Sequence, residues 1–147
     1  MAVYSLANYK MTITSSDVNL ISVFGASMTI GGNGSQVGNF SVSLNDSIHK
    51  KQTYATGGYV FSKSYDRSGT ISVSLNQLSD EVGKFKNLVK LYYGGDYGTL
   101  TIVLTNNENE KVVECIDCLP KEIPTQSFGS DASSQNWSFE VGKITIN

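Results

Sequence analysis

Cys115 and Cys118 form a C-x2-C pair, a spacing that serves metal binding or redox chemistry in other chains. A structural zinc takes about four ligands. Here there are two cysteines and one histidine, His49, far away in sequence. A redox C-x-x-C belongs at a helix N-terminus, whereas this pair falls in a segment that reads as a strand. Residues three apart on a strand face opposite sides, so two free, buried or half-buried thiols are expected, poorly placed to bridge. His49 has no carboxylate or hydroxyl motif beside it, and a general-base role is not expected. The carboxylates stand singly or in exposed clusters such as Asp80-Glu81 and Glu108 with Glu110. The glycine-rich run GGNGSQVGN, residues 31–39, lacks the Lys-Ser/Thr ending and following helix of a phosphate loop, so it reads as a hairpin loop. With no nucleophile motif either, enzyme activity, a metal and a cofactor are all unexpected.

The elements that would position such groups are organised around residues 68–95. Ile71, Val73 and Leu75 alternate with Thr70, Ser72 and Ser74, which predicts a strand. The period then changes. Leu78, Val82, Phe85, Leu88, Val89 and Tyr92 share one helical face, and Ser79 is the expected N-cap. Asp80 and Glu81 suit the positive end of the helix dipole, and Gly94-Gly95 supplies the stop. The helix is expected over about residues 79–93, packed on the aliphatic side of the strand before it.

Further strands are expected over residues 9–14, 18–24, 27–30, 40–45, 59–63, 98–105 and 111–119, and from Trp137 onward. Ile144 and Ile146 fall out of phase with Trp137, Phe139 and Val141, so Gly142 is the expected site of a bulge. In residues 111–119, alternation puts Val112, Ile116 and Cys118 on one side and Val113, Cys115 and Leu119 on the other. The result is one domain over residues 1–147: mainly β, a two-sheet β-sandwich or barrel with one flanking α-helix.

Charged residues make up only 16% of the chain, against about a quarter in an average protein. A net charge of -2 argues against binding nucleic acid on a broad basic face. It leaves open a bore through which nucleic acid slides. Neither a secretory signal nor an apolar run long enough for a membrane helix is read, so a soluble, cytoplasmic chain is expected.

Two stretches point to surfaces rather than catalysis. FSVSLN, residues 40–45, nearly repeats ISVSLN, residues 71–76. Ser41, Ser43 and Asn45 share one face, as do Ser72 and Ser74. A solvent-facing strand more often carries charges; small hydroxyls suit a surface that neither grips nor repels what lies against it, the alternative being an ordinary solvated face rich in serine. Residues 46–58 show no clean period and hold the cluster His49, Lys50, Lys51, with Tyr54 beyond it. This stretch reads as a solvated loop or as an arm that reaches a neighbouring subunit. A monomeric β-sandwich binding module for carbohydrate or a surface receptor is the alternative, with Tyr54, Tyr59, Tyr65 and Trp137 as an aromatic platform.

Taken together, residues 57–141 resemble a bacteriophage tail tube protein of the contractile-tailed type. The resemblance is carried by GGYVFSKSYDRSGTISVSLNQLS, the helical FKNLVKLYY, TIVLT, ECIDCLPKEIP and NWSFEV, in that order. The first forty residues match in general character only, and the resemblance assigns no role to the paired cysteines. The resemblance implies the fold shared with the tube of type VI secretion, two packed sheets nearly closed as a barrel with a flanking helix. It also implies homohexameric rings stacked into a tube, with Ser41, Ser43, Asn45, Ser72 and Ser74 facing the lumen. His49, Lys50, Lys51 and Tyr54 would lie on an inter-subunit loop. The implied partners are other copies of the chain, the tail sheath, and the baseplate and tape-measure proteins. DNA would pass without specific binding and no membrane would be involved. The implied setting is the virion tail, and the host cytoplasm during assembly.

Overall fold

Alternation of apolar and polar residues at period two governs most of the chain. The computed structural model describes residues 9–15, 17, 20, 27–31, 37–106, 108 and 110–147. Among them are nine strands in two sheets and one helix, so the mainly β class holds. The strands are β1 (Lys10–Thr14), β2 (Ser27–Gly31), β3 (Val37–Leu44), β4 (His49–Thr53), β5 (Tyr59–Lys63), β6 (Gly69–Asn76), β7 (Leu100–Thr105), β8 (Lys111–Pro120) and β9 (Ser134–Ile146). The helix, α1, spans Asp80–Gly94. Seven strands form one antiparallel sheet in the order β2-β1-β7-β8-β9-β6-β3, and β4 pairs only with β5. The expected strand over residues 18–24 and the middle of the glycine-rich loop, residues 32–36, lie outside the described residues. Residues 37–39, expected in that loop, already belong to β3.

The seven-stranded sheet buries one face. Met11, Ile13, Ile71, Val73, Leu75, Leu100, Ile102, Trp137 and Phe139 are all almost fully enclosed in a single cluster. The sheet rolls far enough to bring its two edge strands close. Phe40 of β3 lies beside Gly31 of β2, where an added Cβ would come within 3.1 Å of the ring. No ladder joins β2 to β3 among the described residues.

The helix buries Val82, Phe85, Leu88 and Val89 against this inner face. Phe85 stacks on Trp137 at 5.6 Å and meets Phe139 at 5.7 Å. Burying these four side chains contributes on the order of 8 kcal/mol before entropy is subtracted. Both helix ends attach at one end of the strands. Asn76, which leads into α1, pairs with Ser134, while Leu100, which follows it, pairs with Cys118. Two details differ from the sequence reading. Leu78 is 72% exposed because the helix begins after it, in a turn where the Leu78 amide donates to Asn76 Oδ1. Ser79 does hold the extended N-cap conformation, but its hydroxyl bonds Glu81 Oε2 and caps no amide.

The cysteines are free and buried as expected, but their placement on opposite faces is corrected. Cys115 and Cys118 are both fully buried on the same face of β8, as free thiols. The reason is one extra residue. Asp117 has φ 59, a left-handed conformation that aspartate tolerates better than most residues. Leu100 pairs with Cys118 and Ile102 with Cys115, so one residue of β7, Thr101, faces two of β8, Ile116 and Asp117. Val113, Cys115 and Cys118 therefore point inward together. Opposite Asp117, β9 slips by the same amount at Gly142, the position expected to bulge, and Ile144 is buried while Ile146 is exposed. The contact with Cys115, together with burial, pushes the Cys118 thiol up, while the contact with Cys118, against the opposing effect of burial, holds Cys115 below its ordinary value.

Candidate functional site

Two surfaces answer to the residues singled out in the sequence. The first is the outer face of β3, β6 and β9. Because β6 alternates strictly, burying Ile71, Val73 and Leu75 turns Thr70, Ser72 and Ser74 outward. The ladder sets Ser41 opposite Ser72, Ser43 opposite Thr70 and Asn39 opposite Ser74. Across β6, Ser72 meets Ser138, Ser74 meets Asn136 and Asn76 meets Ser134. Ser41 and Ser72 share a hydrogen bond, Oγ to Oγ, of 2.6 Å. Asn45, just beyond the end of β3, continues the row and donates to Ser68 Oγ at 3.2 Å.

The structure thus brings Ser41, Ser43, Asn45, Ser72 and Ser74 onto one surface. Helix α1 is on the opposite face of the sheet. Sequence reasoning missed that β9 extends this surface. The signal was present in Ser134, Asn136 and Ser138, the outward alternates of Gln135, Trp137 and Phe139. Over these three strands the first ionised group is Glu140, at the end of the row opposite Thr70. The surface therefore offers hydroxyls and amides, some of them bonded to one another, and ends at the edge of β3, which pairs only with β6 among the described residues.

The second surface is residues 46–65, where the expected irregular stretch is replaced by a hairpin. All ten residues of β4 and β5 are exposed. Hydrophobic periodicity could not reveal β4, since neither of its faces meets a core. Its turn closes through Gly57, φ 90, whose amide donates to Tyr54 O at 2.9 Å. The base is pinned. Ser64 Oγ donates to Asp46 Oδ2 at 2.7 Å, and Lys50 Nζ lies 3.2 Å from Asp46 Oδ1. These two contacts hold the Asp46 carboxyl below its usual range. Ser68 does the same for Asp66, through its hydroxyl and its amide.

Strand alternation divides the basic cluster. His49 and Lys51 share a face with Phe61 and Lys63, while Lys50 lies on the other face, paired with Asp46. Tyr54 stands at the tip, 55% exposed. Trp137 cannot join an aromatic platform with Tyr54, Tyr59 and Tyr65, because it is buried beneath Phe85.

Among the described residues no group of three or more His, Cys, Asp or Glu could hold a metal, and no helix is long and apolar enough to cross a membrane. No curated protein matches the sequence. Solved structures do share the fold. The chain is similar to one in the baseplate of the anti-feeding prophage, symmetrised six-fold, with TM-score 0.60, 9% identity and coverage of 100% of this chain and 97% of that one. It is similar also to a chain in the sheath-tube complex of an extracellular contractile injection system (TM-score 0.56, 12% identity, 99% and 91% covered). A third similar chain is in the sheath/tube terminator of such a system (TM-score 0.54, 13% identity, 100% and 98% covered). The family model described as the bacteriophage PhiTE tail tube protein matches residues 1–147, and with it the mainly β fold and the uncharged outer face fall into place: the chain belongs to that tail tube family, a structural component of the tail.

Proposed function

We propose that this chain is the repeating subunit of a tail tube, forming homohexameric rings that stack around a bore through which DNA passes during ejection. The observation that carries the reading is the three-strand outer face of serines, threonine and asparagines, which lies opposite the helix and ends at a strand edge that no described strand pairs. An open edge calls for a partner, and a ring of identical copies supplies one for every edge. The six-fold symmetrised assembly that holds one similar chain supports the ring size.

The dimensions are compatible. If four strands of each of six subunits join the wall, as the resemblance to tail tube proteins implies, about 24 strands spaced ~4.8 Å apart and tilted ~40° make a cylinder with a backbone diameter of ~48 Å. Subtracting ~5 Å of side chain on each side leaves ~38 Å, enough for duplex DNA. Ser41, Ser43, Asn45, Ser72 and Ser74 line this bore. Neutral hydroxyls suit a moving polyanion, since every lysine that neutralises a phosphate adds counterion-release affinity and slows transit. The hairpin, with His49, Lys50, Lys51 and Tyr54, reaches a neighbouring subunit. A sheath outside the tube, a baseplate below it and a tape-measure protein within it are the partners. Assembly takes place in the host cytoplasm, and the finished location is the virion tail.

The test places lysine in the bore, with Ser43→Lys and Ser72→Lys. Tubes are expected to form, as seen by electron microscopy, while DNA ejection slows and becomes more sensitive to salt. Normal ejection from tubes that carry both lysines would remove these residues from the lumen.

A further inference from the structure

The bulge at Asp117 does more than reset the faces of β8. It sets the two cysteines of the chain side by side. In an unbroken strand, residues three apart point to opposite faces. With Ile116 and Asp117 both set against Thr101, Cys115 and Cys118 become successive inward residues. They lie opposite Ile102 and Leu100 on β7 and opposite Ile144 and Val141 on β9. Both thiols are fully buried, those four neighbours are buried and apolar, and the two side chains touch. The bulge that creates this contact is held from outside. The Asp117 carboxylate accepts a hydrogen bond from Thr99 Oγ1 at 3.2 Å, and a Cβ at Gly142 would lie 3.1 Å from Asp117 Cβ.

As packing, a buried cysteine is only a small hydrophobe. Two of them in contact on one face can do more, because the side chains of a disulfide must face each other at close range. The surroundings narrow the chemistry. Among the described residues no third His, Cys, Asp or Glu stands with the pair, so it falls short of a structural zinc site. Full burial keeps a bulky disulfide, or the thiol of another chain, away from either sulfur. A small, uncharged oxidant of about the size of water is the reagent that fits.

We propose that Cys115 and Cys118 form a peroxide-sensitive dithiol that closes to a disulfide inside the folded chain, across the Asp117 bulge. Hydrogen peroxide is the oxidant. The Cys115 thiolate attacks one peroxide oxygen, the O–O bond breaks, and hydroxide leaves to take up the proton that Cys115 gave. The Cys118 sulfur then attacks the sulfur of the resulting sulfenic acid. The S–O bond breaks, and the hydroxyl departs with the Cys118 proton as a second water. In sum, two thiols and one peroxide give one disulfide and two waters; the sulfurs lose two electrons and the peroxide gains them. Cys115 acts first because it is the thiol held below its ordinary value, while Cys118 is pushed up. A chain folded under reducing conditions carries the dithiol, and one that later meets peroxide carries the disulfide. The pair lies on the buried face of the sheet, away from the serine rows, so the couple operates whether or not rings form.

The experiment treats the full, folded wild-type chain with hydrogen peroxide in small excess. Intact mass is then measured, and the thiols that iodoacetamide can reach after denaturation are counted. The mass is expected to fall by two hydrogen atoms, both thiols are expected to disappear together, and dithiothreitol is expected to restore them. Oxidised glutathione at the same concentration is expected to act at least about tenfold more slowly on the native chain, because it cannot enter. Cys118→Ser is expected to stop at a sulfenic acid on Cys115, which dimedone captures, and Cys115→Ser to react at least about tenfold more slowly than wild type. Circular dichroism checks that each variant folds, and the wild-type mass decides the question without them. A wild-type chain that keeps both thiols, gains oxygen without losing hydrogen, links to a second chain, or forms the disulfide only in denaturant overturns the proposal.

Discussion

Strands β5 and β6 are neighbours in the chain, separated by residues 64–68, and both alternate. YVFSK in β5 places Tyr59 and Phe61 on one side, yet every residue of the strand is exposed. In β6, Ile71, Val73 and Leu75 are enclosed and the alternate serines face out. The residue types do not explain the difference, since β5 is the more aromatic of the two. The partners explain it. β6 lies between β3 and β9 and beneath α1, whereas among the described residues β5 pairs only with β4. The body satisfies its apolar face from within one chain, while the hairpin displays apolar rings that no described residue outside it covers.

That contrast can be broken at three points. The largest effect is expected where the body depends on one aromatic. Trp137→Ala should cost about 3–5 kcal/mol in chemical denaturation, whereas Phe61→Ala should stay within about 0.5 kcal/mol for the isolated chain. Comparable losses at the two sites would mean that the hairpin is folded into the core after all. An intermediate effect is expected at Gly69, where an added Cβ would lie 2.1 Å from Ser43 O and 2.5 Å from Ile144 Cδ1. Gly69→Ala should therefore cost about 1–3 kcal/mol, lowering the thermal midpoint by several degrees. An unchanged midpoint would show that β3 and β6 can separate there.

The smallest effect concerns acid. Asp46 and Asp66 at the hairpin base are held below a carboxylate's ordinary 3.8. A depressed folded value means that their contribution is in place above 3.8 and fades as pH falls through the lower folded value. Carboxyl carbon shifts should titrate with midpoints under 3.8 for both residues, and the body should remain folded throughout. Midpoints at or above that value would detach the base contacts from the hairpin's geometry.

Much of the body was legible because hydrophobic period reports burial. β6, α1 and the phase change at Gly142 could all be read from apolar spacing. What stayed hidden follows from the same physics. β4 left no mark because HKKQT buries nothing on either side. Cys118 was assigned to the wrong face because a single non-glycine residue at positive φ, Asp117, resets the alternation without any sequence signal as plain as glycine. Leu78 matched the helical stripe by spacing alone, but the backbone turns before reaching it. The serine face was half visible. Its β3 and β6 rows could be read, and the β9 row could not be added until pairing placed Ser138 beside Ser72.

The paired slip at Asp117 and Gly142 has an evolutionary consequence. Cys115 pairs with Ile144 and Cys118 with Val141, so each strand takes up its extra residue at the same level. Deleting Asp117 alone would turn residues 118–120 inside out, and deleting a residue beside Gly142 alone would do the same to the end of β9. Insertions and deletions in these two strands should therefore be inherited as matched pairs, and relatives lacking one extra residue should lack the other.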